Sequence, residues 1–153
     1  MKVTSPPVII TLKVIFILGG FTIALIGNQI DKHQESPTIL VAIISSVVTL
    51  LLVPYVIVLL VRLNVAIGFY KPPWEPPTLS SNPFDYRNPL LFFHFASFVF
   101  VAFGIGAMIS IPWNGLVGVS LALIGFSGGV ACYLGLIRLM KLYPPLQNNS
   151  QVQ

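Results

Sequence analysis

The sequence predicts an all-α integral membrane protein, a four-helix transmembrane bundle with both termini in the cytoplasm. Three observations carry that prediction. Only 8 % of the 153 residues are charged and 56 % are hydrophobic. A soluble domain carries about 25 % charged residues, so this chain lacks the means to cover a water-facing surface. Four apolar runs, at about 7–27, 38–62, 89–111 and 115–140, reach bilayer-spanning length. Finally, Lys2, Arg62, Lys71, Arg87, Arg138 and Lys141 fall at the N-terminus, in the central connector or near the C-terminus, with Lys13 close to the same side. Only Lys32 lies between the first two runs, and the excess of Lys and Arg marks the cytoplasmic face.

The first run opens at Ser5-Pro6, a capping residue followed by a proline whose missing N–H is harmless in the first helical turn. Its apolar core is too long for a signal peptide and no small-x-small cleavage site follows, so it reads as a retained helix. Lys13 lies about two turns in, where a lysine usually snorkels to the headgroups. Ser36-Pro37 repeats the start signal for the second run. Pro54 should kink that helix. Pro72-Pro73 should close it, with Leu63–Tyr70 bending along the interface or projecting inward.

The connector, 63–88, holds most of the stretch Tyr70–Pro89, where six of the thirteen prolines gather. Trp74 suits the headgroup layer, and Pro76-Pro77 keeps the chain extended. Asn82-Pro83-Phe84-Asp85 reads as a helical turn, with Asn82 as cap and Asp85 as its partner in a capping box. Asp85 and Arg87, two apart, should each pair elsewhere. The segment is either a stiff spacer between two hairpins or a strap that docks a partner. Trp74, Asp85, Arg87 and His94 are the candidate partner-facing residues.

Asn88-Pro89 starts the third run and Pro112 should end it. The fourth run carries Gly118, Ala122, Gly125, Gly129 and Cys132 at steps of four and three, a stripe of small residues on one face. Ala102 and Gly106, followed by Ser110, make a shorter stripe on the third run, and Gly20, Ala24 and Gly27 do so on the first. Small side chains let helices approach closely, which drives association in lipid. These stripes would pack the bundle internally, form a seam between copies, or line a conduit. Pro144-Pro145 closes the fourth run, and 144–153 should be a disordered tail.

Chemistry is sparse. All four acids, Asp31, Glu35, Glu75 and Asp85, fall in loops. Proton-coupled carriers usually keep a carboxylate inside the membrane, so a secondary transporter is disfavoured. His94 sits among phenylalanines, but the other histidine, His33, lies in the opposite loop, so a bis-histidine haem site fails on geometry. No hydrolase, metalloprotease, redox or phosphate-loop motif is present, and no cofactor or metal is expected. The net charge of +4 forms no basic face, which argues against nucleic acid as a partner. Lys13, Arg62, Arg138 and Lys141 would either hold an anionic lipid headgroup together or serve as separate topology anchors.

Asn82-Pro83-Phe84-Asp85-Tyr86-Arg87, followed by Leu90-Leu91-Phe92, resembles the approach to the penultimate helix in the uncharacterised polytopic domain that accompanies MgtC-type membrane proteins. The likeness continues loosely from Gly115 to Gly129 and covers at most the second half of the chain. That family's final helix carries aspartates after its glycine. Here the stretch is Gly128-Gly129-Val130-Ala131, so the resemblance brings no ion-handling residue. The reading that follows is a non-enzymatic accessory or scaffold subunit of a bacterial inner membrane, associated with the bilayer and with a larger membrane protein or further copies of itself. The alternative is a subunit of an oligomeric channel or exporter for a small or lipophilic solute.

Overall fold

The computed structural model describes residues 6–30, 39–78, 81–85 and 87–145. The start signals at Ser5 and Ser36-Pro37, the first hairpin loop with Lys32 and His33, and the tail beyond residue 145 lie outside the described residues. Those residues form four helices and no strand: α1 (Pro6–Ile30), α2 (Ile39–Ala66), α3 (Pro89–Trp113) and α4 (Gly115–Leu142). Three of them, α2, α3 and α4, are long and apolar enough to cross a membrane.

Helix ends follow backbone chemistry more closely than hydropathy. α2 stops at Ala66, several residues before Pro72-Pro73, which corrects the assignment of the prolines as its terminator. The stop is a Schellman motif. The Gly68 amide donates to the Val65 carbonyl at 3.0 Å and the Phe69 amide to the Asn64 carbonyl at 2.9 Å. Gly68 takes φ of +79°, which a residue with a Cβ adopts only at a cost. At 28 residues, α2 is about 42 Å long. Pro54 lies inside it, buried, without ending it.

Pro112 lies one residue before the end of α3, and the break itself falls at Gly115, with φ +51° and ψ −126°. Only glycine enters that region without strain, so the reversal into α4 is placed by Gly115. Asn88 caps α3 as the sequence predicts: its Oδ1 accepts from the Leu90 amide at 3.1 Å. α4 ends at Leu142, just before Pro144-Pro145.

α3 and α4 form a tight antiparallel hairpin, and glycines set its closeness. A Cβ built on Gly125 would lie 2.6 Å from the Gly104 nitrogen and 2.7 Å from its Cα. One on Gly129 would lie 2.7 Å from Val101 Cγ2, and one on Gly118 would lie 3.1 Å from Ile111 Cα. Ala107 and Ala122 are buried together nearer the turn. The stripe of Gly118, Ala122, Gly125 and Gly129 is therefore filled by α3 of the same chain, and Ala102 and Gly106 are buried as well.

The other two helices flank this hairpin. α1 lies along α3 in the same direction, with Gly20 against Val99 and Phe103 and with Phe16 edge-on to Phe95 at 6.1 Å. The C-terminal half of α2 lies along that of α4. Ile57 meets Gly135, and Ile57 and Val61 join Trp74, Leu90, Cys132, Leu136 and Leu139 in the largest buried cluster. In lipid such a cluster is held by dispersion and fit, because lipid tails are as apolar as the side chains. Among the described residues no contact joins α1 to α2. The four helices are thus an inner hairpin with one outer helix packed on each arm.

Candidate functional site

The connector ties the two outer helices together at one end of the bundle. On one side Trp74 enters the main cluster. It is 4 % exposed and stacks edge-on with Tyr70 at 6.1 Å and Tyr143 at 5.3 Å. Trp74 is thus packed between α2 and α4 and presents little surface of its own. On the other side Phe84 completes a three-ring group with Phe16 of α1 and Phe95 of α3, at 5.4 and 6.1 Å. Lys13 Nζ donates to the Thr78 carbonyl at 3.2 Å, a second link between α1 and the connector.

Three Asx residues at a spacing of three build the second half of the connector. Asn82 Oδ1 accepts from the Phe84 amide at 3.0 Å, Asp85 Oδ1 from the Arg87 amide at 3.0 Å, and Asn88 Oδ1 from the Leu90 amide at 3.1 Å. The carbonyl of each accepts from the amide three residues on. Asn and Asp favour such turns because their short side chains mimic a turn's carbonyl. Asp85 therefore bonds forward to the Arg87 amide, where a capping box would have it reach back to Asn82. Asn88 also donates through Nδ2 to the Glu75 carbonyl at 2.9 Å, pinning the first half of the connector to the second.

Between these halves and the end of α2 lies a crevice of about 770 Å³. Lys71, Trp74, Glu75, Asp85, Arg87 and Asn88 line it, so two cations, two carboxylates and a carboxamide share one concavity. Trp74 Nε1 is buried and has no hydrogen-bond partner among the described residues. This grouping was half legible beforehand: Asp85 and Arg87 stood out in the sequence, whereas Lys71 and Glu75 join them only through the fold of the connector.

The other candidates have separate surroundings. His94, half-buried, lies edge-on to Phe98 at 4.9 Å and borders an apolar cavity of about 240 Å³ between α1 and α3, together with Lys13. Arg62 and Lys141 are exposed. Arg138 places its guanidinium 3.9 Å from the centre of the Tyr55 ring of α2, and its Nη1 is buried without a hydrogen-bond partner among the described residues. A helical side chain leans toward its helix N-terminus, and here that direction carries the charge back along α4, away from its C-terminal end. No group of three or more His, Cys, Asp or Glu side chains with metal-ligating proximity occurs among the described residues. Comparison with protein families, with characterised proteins and with solved structures finds no match to this chain.

Proposed function

We propose that the protein is a non-enzymatic accessory or scaffold subunit that crosses the bilayer four times. The termini and the connector lie in the cytoplasm, in the inner membrane of a bacterium, and a larger membrane protein packs on its outer helices. One observation carries this reading: five hydroxyls of α1, α3 and α4 are consumed by their own helix backbones, and among the described residues only Ser46 of α2 has a buried hydroxyl oxygen without a partner. Ser97 donates to the His94 carbonyl, Ser110 to Ala107, Ser120 to Leu116, Ser127 to Ile124 and Thr22 to Leu18, at 2.7–3.0 Å. A polar conduit needs groups free to replace a solute's hydration, and hydroxyls spent in this way form no such line. The small-residue faces are used within the hairpin, which leaves the flanks of α1 and α2 for association. In its most apolar window α2 is only 17 % buried.

The residues that carry the MgtC-associated resemblance, Asn82 to Arg87, build the turns that launch α3. The kinship, if held, adds architecture and no activity. The test is site-specific photo-cross-linking in native membranes, with the probe at Val48 or Leu59 on exposed α2 and at buried Ile57 as control. The reading expects one membrane protein captured from the exposed positions and not from Ile57. Monomeric protein without cross-links, or solute flux through liposomes holding this chain alone, would overturn it in favour of a free-standing protein or a channel subunit.

A further inference from the structure

We propose that the flank shared by α2 and α4 docks a transmembrane helix of a different membrane protein, and that an Asp or Glu of that helix pairs with Arg138. The inference rests on the accessory-subunit reading above and names the chemistry of the partner. Arg138 is half-buried and sets its guanidinium over the Tyr55 ring, 3.9 Å from the centre. Among the described residues it makes no hydrogen bond or ion pair. A guanidinium carries five N–H donors in one plane and no acceptor. The Tyr55 ring covers a face of that plane and leaves the N–H edges unanswered. Nη1 is the one nitrogen of the three that is closed off without a partner among the described residues. The side-on edge of Nε and Nη2 therefore remains for a carboxylate, whose two oxygens match its parallel N–H bonds.

The depth of the charge selects the occupant. Tyr55 lies about 16 Å from the α2 end at Ala66. The hydrocarbon core is about 30 Å thick. A helix of about 42 Å then overhangs it by about 12 Å in all, so Tyr55 stays inside the core wherever the overhang falls. Lipid phosphates lie outside that layer, and an arginine that serves them extends outward. An ionisable side chain within the layer is costly and pairs with another. This chain offers no such partner: its four acids, Asp31, Glu35, Glu75 and Asp85, all fall outside α1, α2, α3 and α4. A second copy is equally poor in acids there, so the carboxylate comes from a different protein. The surface around the charge suits a helix. Leu51, Tyr55 and Leu59 follow one another on α2 at steps of four and are exposed. Leu134 and Leu142 stand one turn to either side of Arg138 on α4 and are exposed as well. Exposed apolar rows on two adjacent helices make a seat for a third.

The test places a photo-cross-linking residue at Leu134, one turn from Arg138, in the full chain in native membranes. The proposal expects capture of one membrane protein. Mass spectrometry should locate the cross-link in a span of that protein that holds an Asp or Glu. Arg138→Gln should lower capture about tenfold, with helicity unchanged. Changing the partner's acid to its amide should do the same without touching this chain, which decides the matter even if Arg138→Gln fails to fold. Arg138→Glu combined with exchange of the partner's acid for lysine should restore capture, which a merely structural role of Arg138 would not. A captured span without an acid, capture of a second copy or of phospholipid alone, or capture unmoved by the two charge-removing variants would overturn the proposal. If the probe at Leu59 captures a membrane protein in those cases, the accessory reading stands and the carboxylate pairing alone falls. If neither position captures a protein, both fall.

Discussion

Gly125→Ala tests the packing of the α3–α4 hairpin at its tightest point. The added methyl would lie 2.6 and 2.7 Å from Gly104 backbone atoms and 3.0 Å from the Phe100 carbonyl oxygen. Carbon atoms in comfortable contact are about 3.5–4.0 Å apart, so the helices must part by about 1 Å. No rotamer change relieves the clash, because all three neighbours are backbone. Overpacking of this kind costs about 1–3 kcal/mol, occasionally more. Gly19→Ala is the matched control, since a Cβ there meets nothing within 4 Å, and a helix gains slightly from alanine over glycine. The two variants should differ by about 2–3 kcal/mol, or about 30- to 150-fold in the folding constant. Reversible unfolding in mixed micelles, followed by far-ultraviolet circular dichroism, measures the difference. Equal stability of the two variants would refute the reasoning. So would a Gly125→Ala protein whose monomer stability is intact while its apparent size falls, because the stripe would then be a seam between copies.

Two further predictions probe the connector and the buried charge. Asn88→Ala removes both the α3 cap and the tie to the Glu75 carbonyl, and should cost about 1–2 kcal/mol. Asn88→Asp keeps the cap and loses only the tie, so it should fall between alanine and wild type in thermal midpoint; an aspartate variant as unstable as alanine would assign the effect to the tie alone. For Arg138 over Tyr55, a double-mutant cycle of Arg138→Met and Tyr55→Leu should give a coupling of about 0.5–2 kcal/mol. A coupling of zero would mean that the guanidinium is merely parked over the ring.

Where the sequence was read correctly, the signal was local or summed along the chain. Apolar content located α2, α3 and α4, and Asn88-Pro89 marked a helix start that depends on one side chain and two amides. The misplaced ends share a cause. Proline lies near a helix end without setting it, as Pro72-Pro73 and Pro112 do, while Gly68 and Gly115 supply the positive φ that ends or breaks a helix. The packing of Trp74 between α2 and α4 is not legible in the sequence, because hydropathy reports how apolar a residue is, not which helices meet around it. The small-residue stripe was legible as a packing face, but its occupant was not: the same steps of three and four serve a hairpin partner or a second copy equally well. Lys71 and Glu75 were invisible as crevice residues because their meeting with Asp85 and Arg87 depends on the Asn88–Glu75 hydrogen bond. That α1 and α2 stay apart, each held by the connector, has no counterpart in periodicity at all.

The proposed topology puts the connector on the cytoplasmic face, opposite the α3–α4 turn. Cysteine accessibility tests it most directly. In a Cys132→Ala background, which removes the only native thiol, single cysteines replace exposed Glu75 and exposed Trp113. A membrane-impermeant maleimide is then added to intact spheroplasts and to permeabilised ones. The account predicts that Trp113→Cys labels in intact spheroplasts and that Glu75→Cys labels only after permeabilisation. Labelling of both from one side, or of Glu75→Cys from outside alone, would contradict it.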